Sequence, residues 1–166
     1  MKKFGIQIGA LLIVIFGALW LSYNQGSYSP LLPGSVNTGI EQSKQLKIND
    51  VVITVEVADT PSKRTTGLSG RDTLASNAGM LFVFPETKKY RFWMKDTKIP
   101  LDFIYVRAGK VVDVYRNAQP PVPGQSDSTL PQYEPVESID MMIETNAGFI
   151  DQHNVKVGDS VYELRG

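Results

Sequence analysis

Residues 51–57 read Val-Val-Ile-Thr-Val-Glu-Val, and this stretch decides the class of the fold. Val51, Ile53, Val55 and Val57 alternate with Val52, Thr54 and Glu56, and β-branched side chains at every second position suit a half-buried strand. Directly after it, Thr60-Pro61 supplies a capping oxygen and a residue preset for the first helical turn. A short helix is expected there, limited by Gly67 and Gly70. Farther on, Gly79–Phe84 is a continuous apolar run expected to stop at Pro85, and Arg91–Lys95 is a second candidate strand stopped by Asp96-Thr97. Leu101–Val106 and Val111–Tyr115 flank Ala108-Gly109, a hairpin signal with glycine available for a positive φ. A late strand over Ser138–Glu144, a short helix through Asp151 and a final strand over Ser160–Leu164 complete the pattern. Strands dominate and no strand–helix alternation recurs. The expected fold is therefore mostly β, a β-rich α+β domain: compact, antiparallel and barrel-like, with one or two short helices.

On the N-terminal side the composition changes. Lys2 and Lys3 precede an uncharged stretch, Phe4–Tyr23, in which Gln7 is the one strongly polar side chain. Roughly 20 apolar residues cross a hydrocarbon core of about 30 Å, and Trp20 and Tyr23 stand where interface aromatics belong. The run exceeds the roughly 7–15 residues of a cleavable signal core, which favours an uncleaved single-pass anchor. The two lysines place the N-terminus in the cytoplasm and the rest of the chain on the extracytoplasmic side of the cytoplasmic membrane, or outside altogether if the segment is cleaved. Residues 24–47, rich in Gly, Ser, Pro, Asn and Gln, read as a flexible linker. The domain is expected over residues 48–166. Within it, residues 120–135 hold half of the chain's ten prolines and cannot form a central strand; loop or disorder is the expectation.

Composition excludes a good deal of chemistry. Seventeen basic residues balance seventeen acidic ones in 166, so nucleic acid is not an expected partner. There is no Cys, which removes disulfides, thiolate metal sites and thiol nucleophiles, and the single His153 removes any site needing two imidazoles. No cofactor or metal is called for. The densest polar group runs from Trp93 to Asp102: Trp93 offers a stacking face, Lys95 an ammonium, and Asp96 and Asp102 oxygens for a hydroxyl or an amine. Arg64 and Arg71 are seven residues apart, about two helical turns, and could present two forked donors to an anion. These six residues are the candidate ligand site. Each also has an ordinary structural reading: Asp96-Thr97 as a capped turn, the arginines as partners of Asp59 or Asp72.

Taken together, Val57-Ala-Asp-Thr-Pro61, Arg64, Gly67-Leu68, Arg71, Gly79–Phe84, Phe92-Trp-Met-Lys95, Thr97, Ile99-Pro-Leu-Asp102 and Val155-Lys-Val-Gly-Asp159 resemble the motif series of the DUF192 family. The match in order and spacing runs from about residue 50 to 165. Two departures stand out: Asp96 replaces a common Asn, and no cysteine accompanies Pro120-Pro121. The resemblance implies a compact β-rich domain, often exported behind a signal or anchor, and no established activity. The first expectation is thus a membrane-anchored, non-catalytic domain that binds a small polar ligand or an envelope component. Two others stay open: a hydrolase of envelope sugars or peptides using Asp96 and Asp102 as acid and base, and a structural or protein-interaction domain in which Arg64, Arg71 and Asp102 are scaffold.

Overall fold

The computed structural model describes residues 43–164. The expected membrane segment 4–23, and the linker up to residue 42, lie outside the described residues. Among the described residues no helix is long and apolar enough to cross a membrane.

The elements are β1 (Ser43–Ile48), β2 (Val51–Ala58), α1 (Pro61–Thr66), β3 (Ala78–Lys88), β4 (Leu101–Arg107), β5 (Lys110–Ala118), a 3₁₀ turn (Asp127–Thr129), β6 (Ile139–Asn146), α2 (Phe149–Gln152) and β7 (Val161–Leu164). They make one seven-stranded sheet in the order β5-β4-β6-β3-β2-β1-β7. Neighbours are antiparallel except β2 and β3, which run parallel because α1 carries the chain across between them. The sheet curls into a half-barrel whose edge strands touch at one end. There Val111 N–H donates to the Asp159 carbonyl at 2.9 Å, Gly158 N–H to that of Val111 at 2.8 Å, and Val161 N–H to that of Gly109 at 2.9 Å.

Curling gives the sheet two unlike faces, each with its own apolar core. The inner face gathers Ile53, Val55, Leu81, Ile104, Val106 and Ile143, and α2 closes it with Phe149 and Ile150. The outer face carries Met80, Phe82, Phe103, Tyr105 and Met142, covered by Leu68, Met94 and Tyr133 from the connecting segments. Where β3 meets β6 the strands need glycine, since a Cβ on Gly79 would stand 2.5 Å from the Glu144 carbonyl oxygen. The hairpin forms at Ala108-Gly109 as expected, with φ of 48° and 71°.

Four expectations are corrected. β1 begins at Ser43, inside the stretch read as linker, because Leu46 and Ile48 are buried while Gln45 and Lys47 beside them are not, a short alternation hidden by the polar sequence before it. β3 does not stop at Pro85 but continues to Lys88. The β3–β6 register shifts between Val83 and Lys88, so Pro85 occupies a gap in the ladder where its missing N–H breaks no bond. Arg91–Lys95 is no strand: Phe92 makes one bridge with Tyr133, and Phe92 and Met94 pack over the outer face. The proline-rich segment is a loop, as expected, with one 3₁₀ turn, and the correction is to the alternative of disorder: it is a packed cover, with Leu130 and Tyr133 buried and the Asp113 carboxylate accepting from Val136 N–H at 2.9 Å.

Candidate functional site

Between α1, the 90–97 segment and the outer face of β3 and β6 lies a cavity of about 480 Å³. That falls within the size range of small-molecule sites. Its position follows from local sequence. Thr60 Oγ1 accepts from Lys63 N–H at 3.2 Å, Pro61 opens α1, and Gly67 ends it at φ 50° with its N–H donating to the Lys63 carbonyl at 2.8 Å. Nothing longer than a glycine suits that position, since a Cβ there would sit 3.3 Å from the Phe82 ring. The helix is therefore too short to cover the sheet, and an opening is left beneath it.

Arg64 holds α1 to β3. Its Nη1 donates to the Asp59 carbonyl at 2.7 Å and to that of Val83 at 2.8 Å, and its guanidinium lies 5.8 Å from the centre of the Phe84 ring. Phe84 stacks on Tyr90 with ring centres 3.9 Å apart and meets Phe92 at 5.9 Å, giving one wall of rings. At the mouth, Trp93 is 45% exposed with the Lys95 ammonium 5.6 Å from its ring centre. Lys95 also pairs with Asp127 of the proline-rich cover, which raises the lysine above its ordinary value. Arg91 lies near Glu134 at 3.5 Å.

The floor is Glu144 of β6. Its register partners are Met80 on β3 and Phe103 on β4, so its carboxyl stands on an apolar face. The residue is 7% exposed, and no hydrogen bond or ion pair reaches its carboxyl among the described residues. Burial alone pushes its pKa up to about 8. On the same face, the Tyr105 hydroxyl is buried with no hydrogen-bond partner among the described residues, and burial holds it well above the ordinary tyrosine value.

The six residues singled out from sequence separate in space. Arg64, Trp93 and Lys95 line the cavity. Arg71 does not share a face with Arg64, because the chain leaves α1 at Gly67; it forms a two-pronged ion pair with Glu56 beside a second, smaller cavity. Asp96 sits on an exposed turn at φ 56°, where its carbonyl accepts from Gly70 N–H at 2.8 Å. Asp102 is buried on the inner side of β4, away from the cavity, and both its oxygens are taken: Oδ1 by Asn117 N–H at 2.8 Å and Oδ2 by Ile150 N–H at 2.9 Å. Asp96 and Asp102 flank no common cleft. Among the described residues no three His, Cys, Asp or Glu side chains gather as a metal site would require. Glu144 escaped the sequence reading, although an acid two residues from Met142 in a strand apolar on both faces is the signal that would have found it.

No curated protein matches the chain. Two solved structures share its fold. A "putative transcription regulator" from Sinorhizobium meliloti 1021 is 29% identical with a TM-score of 0.65, the match covering 73% of this chain and 93% of that one. A protein of unknown function from Novosphingobium aromaticivorans DSM 12444 is 26% identical with a TM-score of 0.66, covering 72% of this chain and 84% of that one. The family description DUF192, "Uncharacterized ACR", matches residues 44–162, and the chain belongs to that family.

Proposed function

We propose that this protein is a membrane-anchored, non-catalytic domain on the extracytoplasmic side of the cytoplasmic membrane that binds a small polar ligand in the cavity under α1. The observation that carries the binding reading is the composition of that cavity: ring walls, cations at the mouth and one partnerless acid on the floor. A concave hollow with aromatic walls and convergent polar groups is a usual form of ligand site, and this one is lined about evenly by polar and apolar groups. The anchor rests on Lys2, Lys3 and the uncharged Phe4–Tyr23. A catalytic pair of Asp96 and Asp102 has no support, since one holds a turn and the other holds two backbone amides.

The test uses full-length protein recovered from carbonate-washed membranes in detergent and screened by NMR with small polar ring compounds. Binders are expected to shift signals from the residues around Trp93, and Trp93→Ala is expected to weaken them about three- to tenfold, the loss of one stacking face. Recovery of the protein in the soluble fraction would remove the anchor. Binders indifferent to Trp93→Ala would remove this cavity as their site.

A further inference from the structure

The binding reading leaves the charge and shape of the ligand open, and the distribution of charge around Glu144 narrows both. Around the mouth stand Arg64 from α1 and Arg91 and Lys95 from the segment after β3, all basic. The titratable groups that share the cavity with Glu144, or interact with it from the sheet, are these three, Tyr90 beside the ring wall, and Tyr105 from β4. Arg91 is 72% exposed at its side chain and Lys95 39%, so both can turn toward a bound group without leaving the surface. Among the described residues no acid but Glu144 lines the cavity; the acids that pair with Arg91 and Lys95, Glu134 and Asp127, are surface partners that an incoming anion would compete with.

An ammonium inside would face three cations and would need Glu144 ionised among Met80 and Phe103, which is costly. A ligand carrying its negative charge at the mouth meets the opposite situation, because the cations already stand there. At the inner end, a carboxylic acid that keeps its proton is a hydrogen-bond donor, and the group that satisfies it is an oxygen acceptor. Between the two ends the walls are flat rings suited to a flat or ring-shaped body.

We propose that the cavity takes a ring compound bearing a carboxylate, with its negative charge held at the mouth by Arg64, Arg91 and Lys95 and an oxygen acceptor at its far end receiving the proton-bearing oxygen of Glu144. This rests on the binding reading above and adds the ligand's charge, orientation and protonation partner. Binding then depends on Glu144 being neutral. With burial placing its titration near pH 8, the protonated fraction falls roughly tenfold between pH 7 and pH 9. The cations do not change over that interval: guanidinium groups stay charged, and Lys95 is raised further by Asp127.

The probes are 4-acetylbenzoate, whose charge is constant over this range and whose ketone is the acceptor, and benzyltrimethylammonium, a permanent cation of similar width. Each is titrated into full-length, detergent-solubilised protein at pH 7 and pH 9, with binding read from signals of the cavity residues. The expected result is binding of 4-acetylbenzoate that weakens about tenfold at pH 9, and no binding of the cation. Glu144→Gln, which keeps a donor and cannot ionise, is expected to bind equally at both values. Tighter binding of the cation, or 4-acetylbenzoate binding independent of pH in the parent protein, would overturn the proposal while leaving the cavity a binding site. Failure of both probes, together with the whole ring-compound screen, would overturn the binding reading as well.

Discussion

Asp102→Ala is expected to lower the unfolding free energy by about 3–5 kcal/mol, the largest loss available from one side chain outside the apolar cores. The carboxylate is 1% exposed and bridges three elements. It stands on β4, takes the amide of Asn117 near the end of β5 at 2.8 Å, and takes the amide of Ile150 in α2 at 2.9 Å. Asn117 is held at φ 58° in the bulge where the β4–β5 register shifts before Ala118 pairs with Leu101, and the amide it offers to Asp102 fixes that bend. Ile150 is fully buried and, with Phe149, fills the open end of the inner core. Alanine would strand the buried Ile150 N–H and the part-buried Asn117 N–H, and free both the bend and the plug. Removing the charge returns some desolvation energy, which is why the loss stays below the sum of two charge-assisted bonds at up to about 3 kcal/mol each. Urea unfolding of the full-length chain followed by circular dichroism measures it. A loss under about 1 kcal/mol would show that the two amides find water or other partners.

That result bears on how far the sequence could be read. Val51–Val57, Thr60-Pro61 and Ala108-Gly109 carry their structure locally, through β-branched alternation, a capping oxygen and a left-handed turn, and the structure places β2, α1 and the β4–β5 hairpin there. Pro85 and Arg91–Lys95 were misread because their fate is decided by what lies across from them. A register shift on β6 leaves Pro85 unpaired, and the outer core draws Tyr90, Phe92 and Met94 off the sheet. The candidate site was half legible for the same reason. Trp93 and Lys95 announce themselves as an aromatic beside a charge in an exposed segment. Asp102 looks the same in sequence, but alternation along β4 turns it to the inner face with Ile104, where it is bound by amides 15 and 48 residues away. Glu144 needed the reverse inference: one must know that both faces of β6 are covered before an acid in it becomes notable.

Glu144→Gln is expected to stabilise the protein, and by more as pH rises. The folded chain keeps the Glu144 proton up to about pH 8, while the unfolded chain releases it near the ordinary glutamate value of 4.5. Between those values the folded state binds more protons than the unfolded one, so stability falls with increasing pH at up to about 1.4 kcal/mol per unit. The contribution is most favourable below pH 4.5, and its loss is complete above about pH 8. At pH 7 the parent has lost about 3 kcal/mol relative to acid conditions through this group, a loss a glutamine does not suffer. Urea unfolding of parent and variant at pH 4.5, 7 and 9 isolates the effect, because every other titrating group cancels in the difference. The advantage of the variant should be small at pH 4.5, reach about 3 kcal/mol at pH 7 and rise little further beyond pH 8. A difference that stays flat across the range would mean that water or a rearranged Arg64 solvates the acid, and the floor of the cavity would then be an ordinary carboxylate. If the difference grows as expected, an unpartnered acid weakens the domain at neutral pH by a sizeable share of the roughly 5–15 kcal/mol that stabilises a typical fold. A position on the floor of an open hollow, facing cations, is where such a cost is offset once a ligand supplies the missing acceptor.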